Sequence, residues 1–313
     1  MLLGTALKEA AQRAPAAEAI VDGERRWSYA QWNAEVNRVA HGLEHLGIGV
    51  GDRVACSLTN RVELLTVMFA AQKLGALAVP LNFRLTPAEL EVIAADCTPR
   101  AWCFESLTAP MLAETAAAQD AGTEWIACDP GSPFAARPYA ELLRGADSEP
   151  DEPAIAASDA SLIMYTSGTT GKPKGVVLSH HAQFVNSLLM LAELGLTAAD
   201  RTLHIAPLYH VAAYHVIALP LLLTGGANVL VRRYGAETVA AHIEQGASPR
   251  CWAPRPISSS GPRMAGCRSI ARDNACAAPT SPAPRRARKP WHGSGSASPP
   301  ACGTSTGRPR PRA

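Results

Sequence analysis

Little in this sequence suits a membrane span, a zinc centre or a disulfide-stapled secreted domain. No run of 18 or more apolar residues occurs. The longest candidate, 211–223, holds His215 and Pro220 and is too short to cross a bilayer. The opening residues, MLLGTALKEAAQRA, carry no basic stretch ahead of an apolar core, so no secretory signal is expected. The eight cysteines include no Cys-x-x-Cys pair, which argues against a zinc ribbon and against a dense disulfide framework. A cytoplasmic chain with free thiols fits best. Aromatic residues are scarce at 5% and charged residues modest at 18%, but apolar residues reach 47%, a globular rather than a disordered composition. With 313 residues, one large domain or two ordinary ones is expected.

The net charge of +2 hides a division. From residue 246 to the end there are eleven Arg and one Lys against a single acid, Asp273, so this part carries +11 and the first 245 residues carry −9. The same 68 residues hold twelve of the 25 prolines and no Leu, Val, Phe or Tyr. Such a segment cannot bury enough apolar surface to offset the entropy of ordering it. The expectation is an acidic globular region over 1–245 and a low-complexity basic tail over 246–313.

Helix and strand signals alternate within the globular region. Ser28 and Gln31 form a capping box, followed by Trp32, Val36, Val39, Ala40 and Leu43 at helical spacing, with Gly47 as the stop. Residues 54–58 predict a strand. Asn60 with Glu63 reads as the cap of a helix over 62–74, and 76–81 predicts a second strand. Thr86-Pro87-Ala88-Glu89 combines an N-cap, a Pro at the first helical position and a reciprocal Glu. Residues 131–153, rich in Pro, Gly and acids, read as a surface linker. Strands at 161–165 and 175–179, a helix over 181–194 and further alternation to 244 complete the pattern. Repeated β-α-β units predict an α/β fold, a parallel sheet covered by helices on both faces.

One stretch carries chemistry: Tyr165-Thr166-Ser167-Gly168-Thr169-Thr170-Gly171-Lys172-Pro173-Lys174-Gly175. Glycines let backbone N–H groups turn toward an anion, hydroxyls add donors, and lysines add charge. It is no Walker A loop, because Gly168 and Gly171 are too close together and a strand follows instead of a helix. The loop is built to hold a polyphosphate between two strands.

This stretch resembles the phosphate-loop signature of the adenylate-forming enzymes: acyl-CoA synthetases, peptide-synthetase adenylation domains and firefly luciferase. The resemblance spans roughly residues 1–245, including Arg26-Trp27-Ser28-Tyr29, Gly51-Asp52-Arg53-Val54 and Val79-Pro80-Leu81-Asn82. It implies the layered β-α-β N-terminal domain of such an enzyme, with a first subdomain over 1–150 and a phosphate-loop and acyl-pocket part over 151–245. It implies activation of a carboxylic acid by ATP to an acyl-adenylate, then transfer to coenzyme A, with Mg²⁺ as metal. Thr166, Ser167, Gly168, Thr169, Thr170, Gly171, Lys172 and Lys174 would grip the departing phosphates, with Lys172 and Lys174 acting catalytically. Pro207-Leu208-Tyr209-His210 resembles the segment that opens the acyl-pocket helix. His210 is therefore a candidate catalytic and substrate-binding residue, and Tyr214 and His215 are candidate pocket residues. His180 and His181 are expected only to start a helix. Pro207 to His215 contains no Asp or Glu to hold an amino group, so a fatty or aryl acid is favoured over an amino acid. Which acid, and what oligomeric state, the residues leave open.

Later family segments are expected but not found: an aromatic-Gly-x-Thr-Glu that helps hold Mg²⁺, an Asp for the ribose and a small domain with a catalytic Lys. A shifted reading frame near residue 246 in a GC-rich gene would produce the Arg/Pro/Ala/Ser text that stands there. This exact chain is expected to be inactive alone, and the strands near Val229, cut off from the rest of their sheet, to present an open apolar edge. The competing reading is a non-catalytic phosphate-binding remnant. Its basic tail would attract nucleic acid only through salt-dependent charge, with no specific nucleic-acid fold beside it.

Overall fold

The computed structural model describes residues 1–119, 122–167, 173–233, 235–244 and 250–252. One compact unit spans Met1–Cys276; a second, Ala277–Ala313, lies wholly outside the described residues, as does the tail from residue 253 on. In chain order, α1 (Leu3–Arg13) leads into a hairpin of β1 (Glu18–Asp22) and β2 (Arg25–Ser28). α2 (Tyr29–His45), β3 (Arg53–Ser57), α3 (Val62–Lys73), β4 (Leu77–Pro80), α4 (Pro87–Cys97), β5 (Ala101–Phe104), α5 (Ala109–Ala113) and β6 (Glu124–Ala127) follow. Next come β7 (Arg137–Pro138), α6 (Tyr139–Leu142), β8 (Ala160–Ser167), β9 (Pro173–Ser179), α7 (His180–Leu194) and β10 (Arg201–His204). The last described elements are α8 (Val211–Ala213), a π-helical turn (Tyr214–Ala218), α9 (Leu219–Thr224), β11 (Ala227–Leu230), α10 (Ala236–Glu244) and β12 (Arg250–Trp252).

The strands form two sheets rather than one. Their orders are β7-β6-β5-β3-β4-β8-β9 and β12-β10-β11-β1-β2. Pairing is parallel except within the hairpins β1–β2 and β8–β9. The five-stranded sheet takes strands from both ends of the described chain, β1 pairing with β11, whereas the seven-stranded sheet is built from residues 53–179, with β4 pairing with β8. Continuous apolar runs such as Val54 to Cys56 and Ala101 to Phe104 are wholly buried, as strands covered on both faces must be.

The capping boxes at Ser28–Gln31 and Thr86–Glu89 both form, each satisfying two helix-end N–H groups. α3 is buried along its whole length, Glu63, Gln72 and Lys73 included, because it packs on α1, α2 and β4. Two sequence expectations change. Residues 131–153 are no surface linker: they contain β7 and α6, and Tyr139 and Leu142 enter the core. Gly145 sits so close to α2 that a Cβ there would lie 2.3 Å from the Arg38 carbonyl oxygen, and Glu149 pairs with the buried Lys73 ammonium at 2.5 Å. Nor does Val229 form an open apolar edge. β11 lies between β10 and β1, and Val229 is fully buried.

Candidate functional site

Strands β8 and β9 hold the ends of the candidate phosphate loop. Thr166 stands opposite Lys174, and Ser167 opposite Pro173, in an antiparallel ladder. Gly168, Thr169, Thr170, Gly171 and Lys172 lie outside the described residues, as does the side chain of Ser167. Of the described members, Thr166 and Lys174 are both exposed, and the Thr166 hydroxyl donates to the Lys174 carbonyl at 3.5 Å. The ladder also explains Gly175. A Cβ at this position would lie 3.1 Å from the Tyr165 ring and 3.0 Å from Ile163, so a side chain would push on the ring opposite it. Tyr165 itself donates to the Asp96 carboxylate of α4 at 2.5 Å, which ties the hairpin to that helix. Burial, then Asp96 beside it, raises the phenol well above its ordinary range.

The second component is the loop after β10. His210 is the N-cap of α8, and its Nδ1 accepts the Ala212 N–H at 3.2 Å. With Nδ1 used as acceptor, Nε2 carries the proton and is free to donate to an anion. The loop's path is fixed by a residue that the sequence pattern misassigned. Asn60 does not cap α3, whose N-cap is Arg61 and has no side-chain cap bond. Instead the Asn60 amide donates to the carbonyls of His204 (3.0 Å) and Ala206 (2.9 Å), while its oxygen accepts the Leu208 N–H at 2.8 Å. All three amide bonds therefore go to the segment leading into His210. An Asn beside a predicted helix start looks like a cap in one dimension, and only the fold shows the distant strand that it serves.

Thr166, Tyr165, Tyr209 and His210 line one cleft of about 320 Å³ together with the apolar side chains of Leu85, Ile93 and Met164. Tyr209 stacks edge-on against Phe83, with ring centroids 5.8 Å apart. Glu89 also faces the cleft, but its carboxylate accepts from the Thr86 N–H and hydroxyl, both at 2.9 Å. Among the described residues no group of three or more His, Cys, Asp or Glu side chains could hold a metal ion, so the described lining of the cleft does not by itself fit Mg²⁺. Tyr214 and His215 lie elsewhere. Both sit in the π-helical turn inside the core, Tyr214 fully buried. His215 Nε2 bonds to Gln183 Oε1 at 3.2 Å, and burial pushes its imidazole down to about 4. Neither residue lines the cleft. His180 begins α7, where its Nδ1 accepts the Leu3 N–H at 3.2 Å.

Next to Asn60 in the chain, Arg61 is the centre of a buried ion network. Arg61 reaches Glu63 (2.7 Å), Glu105 (3.1 Å) and Asp129 (3.0 Å), while Asp22 accepts from Arg25 and Arg232. Burial alone would raise the Glu63 carboxyl, but bonds from Arg61 and Arg25 and the charge of Arg61 hold it at about 2. The network ties together the chain just beyond the ends of β1, β5, β6 and β11.

A hairpin whose strands β8 and β9 flank a segment of hydroxyls, glycines and lysines, with Thr166 and His210 lining one cleft, can be set against known proteins. The sequence pattern of the AMP-binding enzyme family matches residues 7–249. The chain belongs to the AMP-binding enzyme family. The match ends within a few residues of the composition change at residue 246. Among curated relatives, a feruloyl-CoA synthase of an Amycolatopsis species is 37% identical over 235 residues, 75% of this chain and 45% of the relative. The long-chain-fatty-acid–CoA ligase FadD13 of Mycobacterium tuberculosis is 38% identical over 218 residues, 67% of this chain and 41% of the relative. This AMP-binding chain thus spans less than half the length of those relatives. Among solved structures, the inhibitor-bound N-terminal domain of FACL13 from Mycobacterium tuberculosis superposes with a TM-score of 0.70 at 33% identity, covering 78% of this chain and 60% of that one. The fold is shared with N-terminal domains of adenylate-forming enzymes. Among the described residues, no helix is long and apolar enough to cross a membrane.

Proposed function

We propose that this chain serves ATP-dependent activation of a carboxylic acid to an acyl-adenylate, the first half of an acyl-CoA ligase reaction, with coenzyme A as final acceptor. The reading rests on one observation: Thr166 at the mouth of the phosphate loop and His210 line the same cleft. ATP supplies the leaving pyrophosphate. Thr166 to Lys174 hold that end, where negative charge builds as the bond to the α-phosphate breaks. Donors fixed in advance therefore favour the transition state over bound ATP. His210 Nε2–H orients the acid carboxylate, and Leu85, Ile93 and Met164 shed water from its apolar body. The apolar wall, and relatives named for feruloyl and long-chain fatty acids, support an aryl or fatty acid over an amino acid.

The test is acid-dependent ATP–pyrophosphate exchange in a chimera with residues 1–249 in place of the matching part of the Amycolatopsis feruloyl-CoA synthase. Lys172→Ala should slow exchange about 10²-fold or more, with little change in the KM for the acid. His210→Ala should alter the acid profile more than the KM for ATP. Parent rates in Lys172→Ala, or an unchanged acid profile in His210→Ala, would contradict the assigned roles.

A further inference from the structure

The C-terminal end of α4 is anchored to the seven-stranded sheet. Arg53, the first residue of β3, donates from Nε to the Cys97 carbonyl at 2.5 Å and from Nη2 to the Thr98 carbonyl at 2.7 Å and to the Thr98 hydroxyl. A helix leaves its last carbonyls without partners, and a guanidinium suits the negative end of its dipole. Thr98 closes α4 in the left-handed region, at φ 40°, which a β-branched residue rarely adopts. Two residues earlier, Asp96 accepts the Tyr165 hydroxyl at 2.5 Å. A continuous path therefore runs from β3 through Arg53, the end of α4 and Asp96 to Tyr165, the residue before Thr166. Ile163 and Tyr165, on one face of β8, share an apolar cluster with Ile93 and Cys97 of α4. Among the described residues, β8 is in register with β4 only at Leu162, opposite Ala78, so the brace acts where that pairing has ended.

We propose that Tyr165 is a positioning residue: its hydroxyl, held by Asp96, sets where Thr166 and Lys174 stand. Thr166 follows Tyr165 directly, and Lys174 pairs with Thr166 across the ladder, so a shift of Tyr165 carries both residues with it. Gly175 couples them further. Having no side chain, it lets the Tyr165 ring lie directly against β9, within 3.1 Å of where a Cβ would stand. Donors that stabilise developing charge act only when held within about 0.5 Å of the productive geometry. Loosening the brace therefore lowers the rate of the chemical step and leaves the acid's own contacts unchanged. The kinetic part of this inference rests on the adenylation reading; the positional part does not.

Two measurements test it, with far-UV circular dichroism to show that each variant is folded. The first is amide hydrogen exchange of the full chain by mass spectrometry. Tyr165→Phe keeps the ring and its packing and removes only the hydroxyl. Amides of residues 162–179 should exchange roughly 10-fold faster in Tyr165→Phe and in Asp96→Ala, the scale of one hydrogen bond to a charged group, while α1 and α2 keep their parent rates. The second is pyrophosphate exchange in the chimera described above. Both variants should be slower by roughly 10-fold at saturating substrates, with the KM for the acid unchanged. The double variant should be no slower than either single one, because both remove the same bond. Asp96→Asn, whose amide oxygen still accepts the phenol, should recover most of the rate lost in Asp96→Ala. Parent amide exchange in Tyr165→Phe would overturn the proposal. So would faster amide exchange with a parent rate of pyrophosphate exchange, where Lys172→Ala is slow in the same chimera. A parent rate in Lys172→Ala contradicts the adenylation reading instead, and amide exchange alone then decides the role of Tyr165.

Discussion

Asn60 shows how one side chain places a functional group far away in sequence. Its amide holds two carbonyls and one N–H of the segment that ends in His210. Asn60→Ala would leave buried backbone groups unpaired, and each such group costs about 1–3 kcal/mol. The expected outcome is a fall in the urea midpoint equivalent to at least ~2 kcal/mol, with the m-value unchanged. Asn60→Asp should be no better, since a carboxylate cannot donate to His204 and Ala206. A midpoint equal to the parent in both variants would mean that the loop is held by other contacts. The same residue marks a limit of sequence reading. The family resemblance at 166–174 and at His210 was legible because it is written in consecutive positions, and the family match over 7–249 bears that resemblance out. Asn60 was not, because its partners lie about 145 residues on and only the two-sheet packing brings them near.

Among elements, the capped and periodic ones were the legible ones. α2 and α4 start where Ser28 and Thr86 say they must, and buried strands such as β3 and β5 follow from apolar runs. The division into two sheets was not legible, because which strand joins which sheet depends on pairings such as β1 with β11, about 210 residues apart. Tyr214 and His215 fall at helical spacing beside His210, but a π-helical turn and the packing on α7 put them in the core. Their burial has a consequence for pH. Burial depresses the imidazoles of His180, His204 and His215 to about 4, the Asn228 contact only partly opposing it at His204. The unfolded chain binds these protons near pH 6.5 and the folded chain only near 4. Stability is therefore full above pH 6.5 and declines as pH falls from 6.5 to about 4. Glu63, held at about 2 against an ordinary value of 4.5, loses its contribution as pH falls from 4.5 toward 2. Urea midpoints should drop continuously from pH 7 to pH 3. His204→Gln or His215→Gln should flatten the upper part of that curve, and an unaltered slope would contradict the assignment.

At the scale of the whole molecule, the seven-stranded sheet presents the phosphate hairpin at one edge and β7 at the other. The five-stranded sheet delivers β10 and the His210 loop to the same cleft, so neither sheet alone makes the site. The net charge of 1–245 is −9, so the field of the body does not favour a phosphate, and the proposed reading requires Lys172 and Lys174 to draw one in locally. The central claim is that this loop holds a polyphosphate. The most direct measurement is calorimetric titration of the full chain with magnesium-free tripolyphosphate, beside the Lys172→Ala/Lys174→Ala variant and an Arg137→Ala control on β7. The account predicts saturable binding with a Kd of roughly millimolar order, lost in the double variant and retained in the control. Equal binding in the double variant and the parent, or loss of binding in Arg137→Ala alone, would contradict it.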